Sequence, residues 1–395
     1  MNTKQNLTGA SNQWAVRPAD ERFWTLTELY QRTKTYAEES KVKKLSLSSC
    51  EVIPQDGDLR LRGQSGATAQ FQHYSFGQLS NLCGAPASYL RGLPAPLAAA
   101  NLNHGLQRLQ GEHNLMFHQN GGLHLRCVTS DAYARIWNHE IAGLGLRLED
   151  QGWRTPPARS PERDPGECST TALAIPTRIA TEADILRLSA HPTLGIKVGD
   201  VIAPSGLYAS DHDCFIFQVN EDRAIEGGDG ETLYRGVFWS NSEVGQARFR
   251  ATMFLYDSVC GNHIVWGATV VAEIAIRHTG EARKAFAEAM RGIAARADMS
   301  TAEDTQRIKA AKAYELAATQ EGVIDLVFKK KGLLGQKECE NAYVIADRYE
   351  HTHGGNPRSA WGFAAGVTRL SQASPFADER NRLDRAAGRV LAMAF

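Results

Sequence analysis

At 395 residues the chain exceeds the usual single-domain size, so two lobes or one large mixed core are both open, while 43% hydrophobic and 22% charged residues exclude a largely disordered polymer. Its 44 Lys plus Arg balance 44 Asp plus Glu, so a global basic field is excluded and any nucleic-acid affinity must come from a local patch.

Read from the start, MNTKQNLTGASNQW lacks the apolar core of a signal peptide, and no segment approaches the roughly 18 consecutive apolar residues that span a bilayer. The seven cysteines (Cys50, Cys83, Cys127, Cys168, Cys214, Cys260, Cys339) are scattered, with no Cys-x-x-Cys pair. A reduced, cytoplasmic chain with no membrane role is expected. ADERFWTLTELYQRTKTYAEES predicts a helix starting just after Pro18, with Asp20 and Glu21 at its N-terminus. LSLSSCEVI and DLRLRG predict strands joined by a turn at Pro54, Asp56 and Gly57. The segment from His73 to Leu109 predicts short helices broken by Gly84, Pro86, Pro94 and Pro96. Asn120-Gly121 between two apolar runs predicts a hairpin, after which Ser130 is expected to cap a helix running through Tyr133, Ile136 and Trp137.

WRTPPARSPERDPG, with four prolines, reads as a loop or linker. From Leu194 to Ile276 the pattern is predominantly β, and helices are expected near Glu281–Ala297, Ala302–Gln320, Gln336–Tyr349 and Ser359–Ala373, the last continuing into Asp378–Ala394. Strands followed by helices without regular alternation predict an α+β fold, with a central, mostly antiparallel sheet, an N-terminal helical and hairpin region, and a C-terminal helical segment. The expected organisation is 1–150, a loop over 151–180, and a β-rich core with closing helices over 181–395, which could pack with 1–150 as one domain.

No glycine pattern for a Rossmann or P-loop site is present, and Gly227-Gly-Asp-Gly230 reads as a turn between strands. In SDHDCF an extended backbone would put Asp211 and Asp213 on one face and His212 on the other, so the two carboxylates, with Glu243, could hold Mg²⁺. The competing reading is a polar turn before an apolar strand. Cys260-Gly-Asn-His263 has half the spacing of a zinc site without its second half, and His351 and His353 read as a solvated loop. In RGVFWSNSEVG, Ser240 and Ser242 have only Glu243 as a titratable neighbour in sequence, so a turn is favoured over a nucleophile. In QARFRATMFLY, alternation would put Phe249, Ala251, Met253 and Leu255 on the core face and Arg248, Arg250, Thr252, Phe254 and Tyr256 on the other, a phosphate-and-stacking surface if exposed. Lys329, Lys330 and Lys331, with Arg154, Arg159 and Arg163, could extend a basic path.

FWSNSEVGQARFRATMFLYDSVCGNHIVWGA resembles the central motif of a phage- and plasmid-like protein family defined by a domain of unknown function, on Asn241, Ser242, Gly245, Cys260 and Asn262. FGQLSNLCGAPASYLRGLP and the closing AWGFAAGVTRLSQASPFADERNRLDRAAGRVL are similar to its other parts. Where some relatives carry His-Asp in the Asn-Ser turn, this chain has Glu243-Val244. The resemblance implies a mobile-element setting, where DNA recombination, replication or counter-defence is common. The expectation is therefore a non-enzymatic protein binding single-stranded DNA or other nucleic acid, as a monomer or homo-oligomer, with no cofactor. The alternatives are a metal-dependent phosphodiesterase or nuclease, and a factor acting on a host protein.

Overall fold

The computed structural model describes residues 21–155, 158–159, 178–182, 197–199, 201–203, 207–228, 231–257, 263–265, 273–298, 300–348, 355–373 and 377–395. Expectations for Arg163, Cys168, Cys260, Asn262, His351 and His353 lie outside these residues.

The first helix, α1 (Leu26–Glu38), begins later than Pro18 suggests. Phe23 donates its N–H to Leu207 O and Arg22 bridges Tyr208, which ties this stretch to a distant strand and leaves Thr25 and Glu28 to form the capping box. Next come β1 (Ser40–Leu45), β2 (Glu51–Gln55), β3 (Asp58–Arg62), β4 (Thr68–Phe71), α2 (His73–Leu82), α3 (Ala87–Arg91), α4 (Ala95–Leu106), β5 (His113–Gln119) and β6 (Leu123–Ser130). Leu47–Ser49 is a 3₁₀ turn, so the predicted strand LSLSSCEVI starts only at Glu51. The strands make a sheet in the order β1-β5-β6-β4-β3-β2, antiparallel except for β4 beside β6. Helices α2 to α4 cover one face through Leu79, Leu90, Ala98 and Leu102 against Leu59, Leu61, Leu115 and Leu125. Asn103 of α4 accepts the Val52 N–H and donates to Val52 O, satisfying backbone groups of the edge strand β2. The opposite edge, β1, exposes Lys41, Lys43 and Lys44, charges that discourage a further strand from adding there.

The Asn120-Gly121 hairpin joins β5 to β6 as predicted. Ser130 ends β6 and does not cap a helix; α5 (Asn138–Glu149) starts eight residues later. The intervening backbone is held open from a distance, with Ala134 N–H on His278 O and Ile136 N–H on His278 Nδ1.

After α5 the chain supplies β7 (Trp153–Arg154), β8 (Ala158–Arg159), β9 (Arg178–Ile179), β10 (Val201–Ala203), β11 (Leu207–Ala209), β12 (Cys214–Gly228), β13 (Glu231–Asn241), β14 (Phe249–Asp257), β15 (His263–Val265) and β16 (Glu273–Ile276). Strands β8, β10 and β9 form a small ribbon. A seven-stranded antiparallel sheet runs β11-β12-β13-β14-β15, with β7 on β12 and β16 on β14. The closing helices are α6 (Ala282–Asp298), α7 (Ala302–Ala313), α8 (Gln320–Ile324) with a π turn at Asp325–Lys330, α9 (Gln336–Arg348), α10 (Ala360–Ala373) and α11 (Ala377–Leu391). The predicted helix Ala302–Gln320 stops at Ala313, because Glu315 bridges Ser359 and Thr319 caps a new helix. The fold is α+β.

One face of the second sheet carries Ile216, Val237, Trp239, Phe249 and Ala251 against α1, α5 and α6. Farther along, Ile225, Leu233 and Leu255 pack on the helices α7 to α11. Between these two cores Arg235 donates to Asp304 Oδ2 at 2.8 Å and to Ser300 O at 2.8 Å, both charged side chains being buried. The other face is aromatic: Tyr208, Phe215, Phe217, Tyr234, Phe238 and Phe254 form their own cluster, with Phe217 stacked on Phe254 at 4.9 Å. A Cβ at Gly236 would stand 2.0 Å from the Phe254 ring, so the ring takes the space a side chain would need. Gly236→Ala is therefore expected to cost about 1–3 kcal/mol by overpacking. Chemical denaturation reads this, and pairing the change with Phe254→Leu should restore part of the loss.

Candidate functional site

The segment that looked like a free turn in sequence is the joint between the two sheets. In the β5–β6 pair, Met116 faces Cys127 and Phe117 faces Leu125, which leaves Arg126 as the extra residue of a β-bulge. A bulge turns a side chain that alternation alone would not place. Arg126 Nη2 donates to Glu243 Oε1 at 2.8 Å, Nη1 to Ser40 Oγ at 3.0 Å, and Nε to Asp211 O at 3.2 Å. Glu243 Oε2 accepts the Asn138 N–H at 3.2 Å, and Arg135 donates to Glu243 O. Arg126 is 0% and Glu243 1% exposed. Glu243 thus has a partner 117 residues away.

Every residue around Glu243 is fixed in the same way. Asn241 Nδ2 donates to Ile136 O at 2.9 Å and Asn138 Oδ1 at 2.8 Å. Ser242 Oγ donates to His212 O at 2.7 Å, and Ser242 O accepts from Tyr133 Oη at 3.2 Å. Gln78 Nε2 donates to Val244 O at 2.7 Å while Gln78 Oε1 accepts the Val128 N–H at 2.9 Å. Gly245 turns the chain at φ +84°, a conformation that favours glycine. Asn241 to Val244 form a buried lock, and the Ser242 hydroxyl is spent on the His212 carbonyl.

Asp211, His212 and Asp213 lie beside it. They form a turn and not an extended strand, because Ser210 Oγ accepts the N–H groups of His212 and Asp213 at 3.2 Å and donates to Asp213 Oδ1 at 2.6 Å. The expected opposition of carboxylates and ring is therefore replaced by convergence. His212 Nδ1 is 2.7 Å from Asp211 Oδ1, Nε2 is 3.6 Å from Asp213 Oδ2, and the ring packs on Tyr74 at 4.6 Å. Glu243 does not join the aspartates, since both its oxygens are committed to Arg126 and Asn138. Among the described residues no group of three or more His, Cys, Asp or Glu side chains is placed to hold a metal ion.

The candidate nucleic-acid face is only partly open. Phe254 is 3% exposed, because β14 is an inner strand with both faces covered, and it is not available to stack on a base. Arg250 is half-buried opposite Ser240, while Arg248 is exposed at the strand start. Tyr256 pairs in backbone register with Tyr234 and His263. Lys329, Lys330 and Lys331 are exposed at the end of the π turn, with Lys329 paired to Asp325 at 2.8 Å. They belong to the helical bundle that packs on Leu255, whereas Arg248 lies at the other end of β14, roughly 25 Å away along the strand. Sequence reading missed Arg277: the ladder ends at the Phe249–Ile276 pair, so exposed Arg248, just before β14, and exposed Arg277, just after β16, adjoin the paired ends of two neighbouring strands. A long-range register is the signal that finds it, and no local pattern carries one.

The arrangement defines an α+β protein of two sheets locked by a buried polar joint. Residues 205–385 match the family model of a domain of unknown function (DUF932), and the match takes in Asn241, Ser242, Gly245, Cys260 and Asn262. Arg126, Asn138 and Gln78, which hold that motif, lie outside the matched residues. No curated protein and no solved structure matches the chain. Among the described residues no helix is long and apolar enough to cross a membrane.

Glu243→Ala leaves a guanidinium buried without its carboxylate and is expected to destabilise by about 3–5 kcal/mol. Arg126→Met combined with Glu243→Leu should cost less than the two single changes summed, as a denaturation double-mutant cycle would show. His278 offers a separate handle: burial first, and then Arg135, lower its pKa to about 4, and its Nδ1 accepts a backbone N–H. Between pH 4 and 6.5 the unfolded chain binds the extra proton, so this contribution is intact above pH 6.5 and is lost as pH falls through 4. A loss of about 3 kcal/mol at most is expected across that window, and His278→Asn should flatten that part of a stability–pH profile.

Proposed function

We propose that the protein is a non-enzymatic nucleic-acid-binding protein that holds a single-stranded phosphate backbone at the Arg248 end of the second sheet. The observation that supports this reading is that exposed Arg248 and Arg277 adjoin the paired strand ends at Phe249 and Ile276, with Arg250 two residues along from Arg248. Like charges gathered at neighbouring strand ends repel unless something neutralises them, and among the described residues neither Arg248 nor Arg277 has a carboxylate partner. A phosphate chain supplies that neutralisation. With Phe254 buried, the contacts would be to backbone and only weakly dependent on base sequence. The motif resemblance supports a phage, plasmid or prophage setting, as a cytoplasmic accessory factor in recombination, replication or counter-defence.

The test is fluorescence anisotropy of a labelled oligothymidylate across a salt series. Arg248→Ala with Arg277→Ala should weaken binding about tenfold at low salt and reduce the slope of log K against log salt by roughly one to two. An unchanged affinity in the double variant, or no binding by the wild type at low salt, would overturn the reading.

A further inference from the structure

A second feature lies in the first lobe, on the helical side of its sheet. A cavity of about 280 Å³ opens between β3, β4 and helices α2 to α4, with Leu59, Phe71, Phe76 and Leu90 among its walls and Asp58, His73 and Arg91 also lining it. Arg91 ends α3 and reaches back to α2, where Nη2 donates to His73 Nδ1 at 3.0 Å and to His73 O at 3.1 Å. Its guanidinium carbon also sits 5.1 Å from the centre of the Phe76 ring. None of these partners is an acid, so Arg91 forms no ion pair with them. Nδ1 must be unprotonated to accept from Arg91, and His73 is kept neutral because burial, and then Arg91, lower its pKa to about 4.

A positive group beside an open cavity with an apolar wall suits a ligand with one charged end and a hydrocarbon body. Size narrows the choice: an apolar cavity of about 150 Å³ already admits benzene, so this one takes a single ring or a medium-length acyl chain. Asp58 narrows it again. Its Oδ1 accepts the Leu59 N–H at 2.8 Å and Oδ2 accepts from Gln70 at 3.3 Å, which fixes the carboxylate on the cavity wall. That charge repels a dianion more strongly than a monoanion.

We infer that this cavity binds a small organic monocarboxylate, with its carboxylate on Arg91 and its apolar body against Leu59, Phe71 and Phe76. The inference is independent of the nucleic-acid reading. Calorimetric titration of the full chain with octanoate, octanol and octyl phosphate tests it. Octanoate should bind about tenfold or more tightly than octanol, a difference that vanishes in Arg91→Gln. The comparison of carboxylate with alcohol needs no variant, so it stands even where Arg91→Gln fails to fold. Equal binding of octanoate and octanol, no binding of either, an unaltered preference in Arg91→Gln, or tighter binding of octyl phosphate would each overturn the inference.

Discussion

The buried pair of Arg126 and Glu243 is the constraint on which the rest of the structure depends. Removing two opposite charges from water costs several kcal/mol per ion, and their attraction offsets that only where the remaining donors and acceptors are also satisfied. Here they are satisfied from four directions, by Ser40, the Asp211 carbonyl, the Asn138 amide and the carboxylate itself. Because those partners come from α5, from both sheets and from the turn before β12, the pair sets how the sheets meet. A small rotation at the joint would strand a charge, so the relative placement of the two lobes is narrowly specified.

The same logic recurs farther along the second sheet. Arg235 and Asp304 lie buried between the core under α1, α5 and α6 and the core under the closing helices, so the helical bundle is keyed to the strands by a directional contact as well as by apolar area. Apolar packing alone tolerates sliding, whereas a buried guanidinium does not. The two surfaces proposed to meet a ligand lie at the margins: the arginines at one end of β14, and the cavity beside α2 to α4. The two are separate surfaces with different chemistry, one suited to a chain of phosphates and the other to a single small anion.

Arg126 shows why the joint could not be read locally. In strict alternation its side chain would share a face with Val128; the bulge opposite Met116 and Phe117 places it beside Cys127 instead. Glu243 looked unpartnered because its partner is far along the chain, and the hydroxyl and amide groups of Ser242 and Asn241 find equally remote acceptors. Phe254 looked exposable because alternation separates two faces without saying whether both are covered.

Local chemistry in the sequence determined the α+β class, the Asn120-Gly121 hairpin, the antiparallel run of strands and most of the closing helices, because turn dihedrals, capping and periodicity act over a few residues. It also determined that Asn241 to Gly245 is a turn. Tertiary structure decided that this turn is an interior lock and not an outer loop, that Thr25 and not Pro18 starts the first helix, and that Arg248 and Arg277 adjoin the paired ends of neighbouring strands. Each of those outcomes rests on a contact between residues far apart in the chain, whose energy depends on burial and register, and neither is encoded within a single segment.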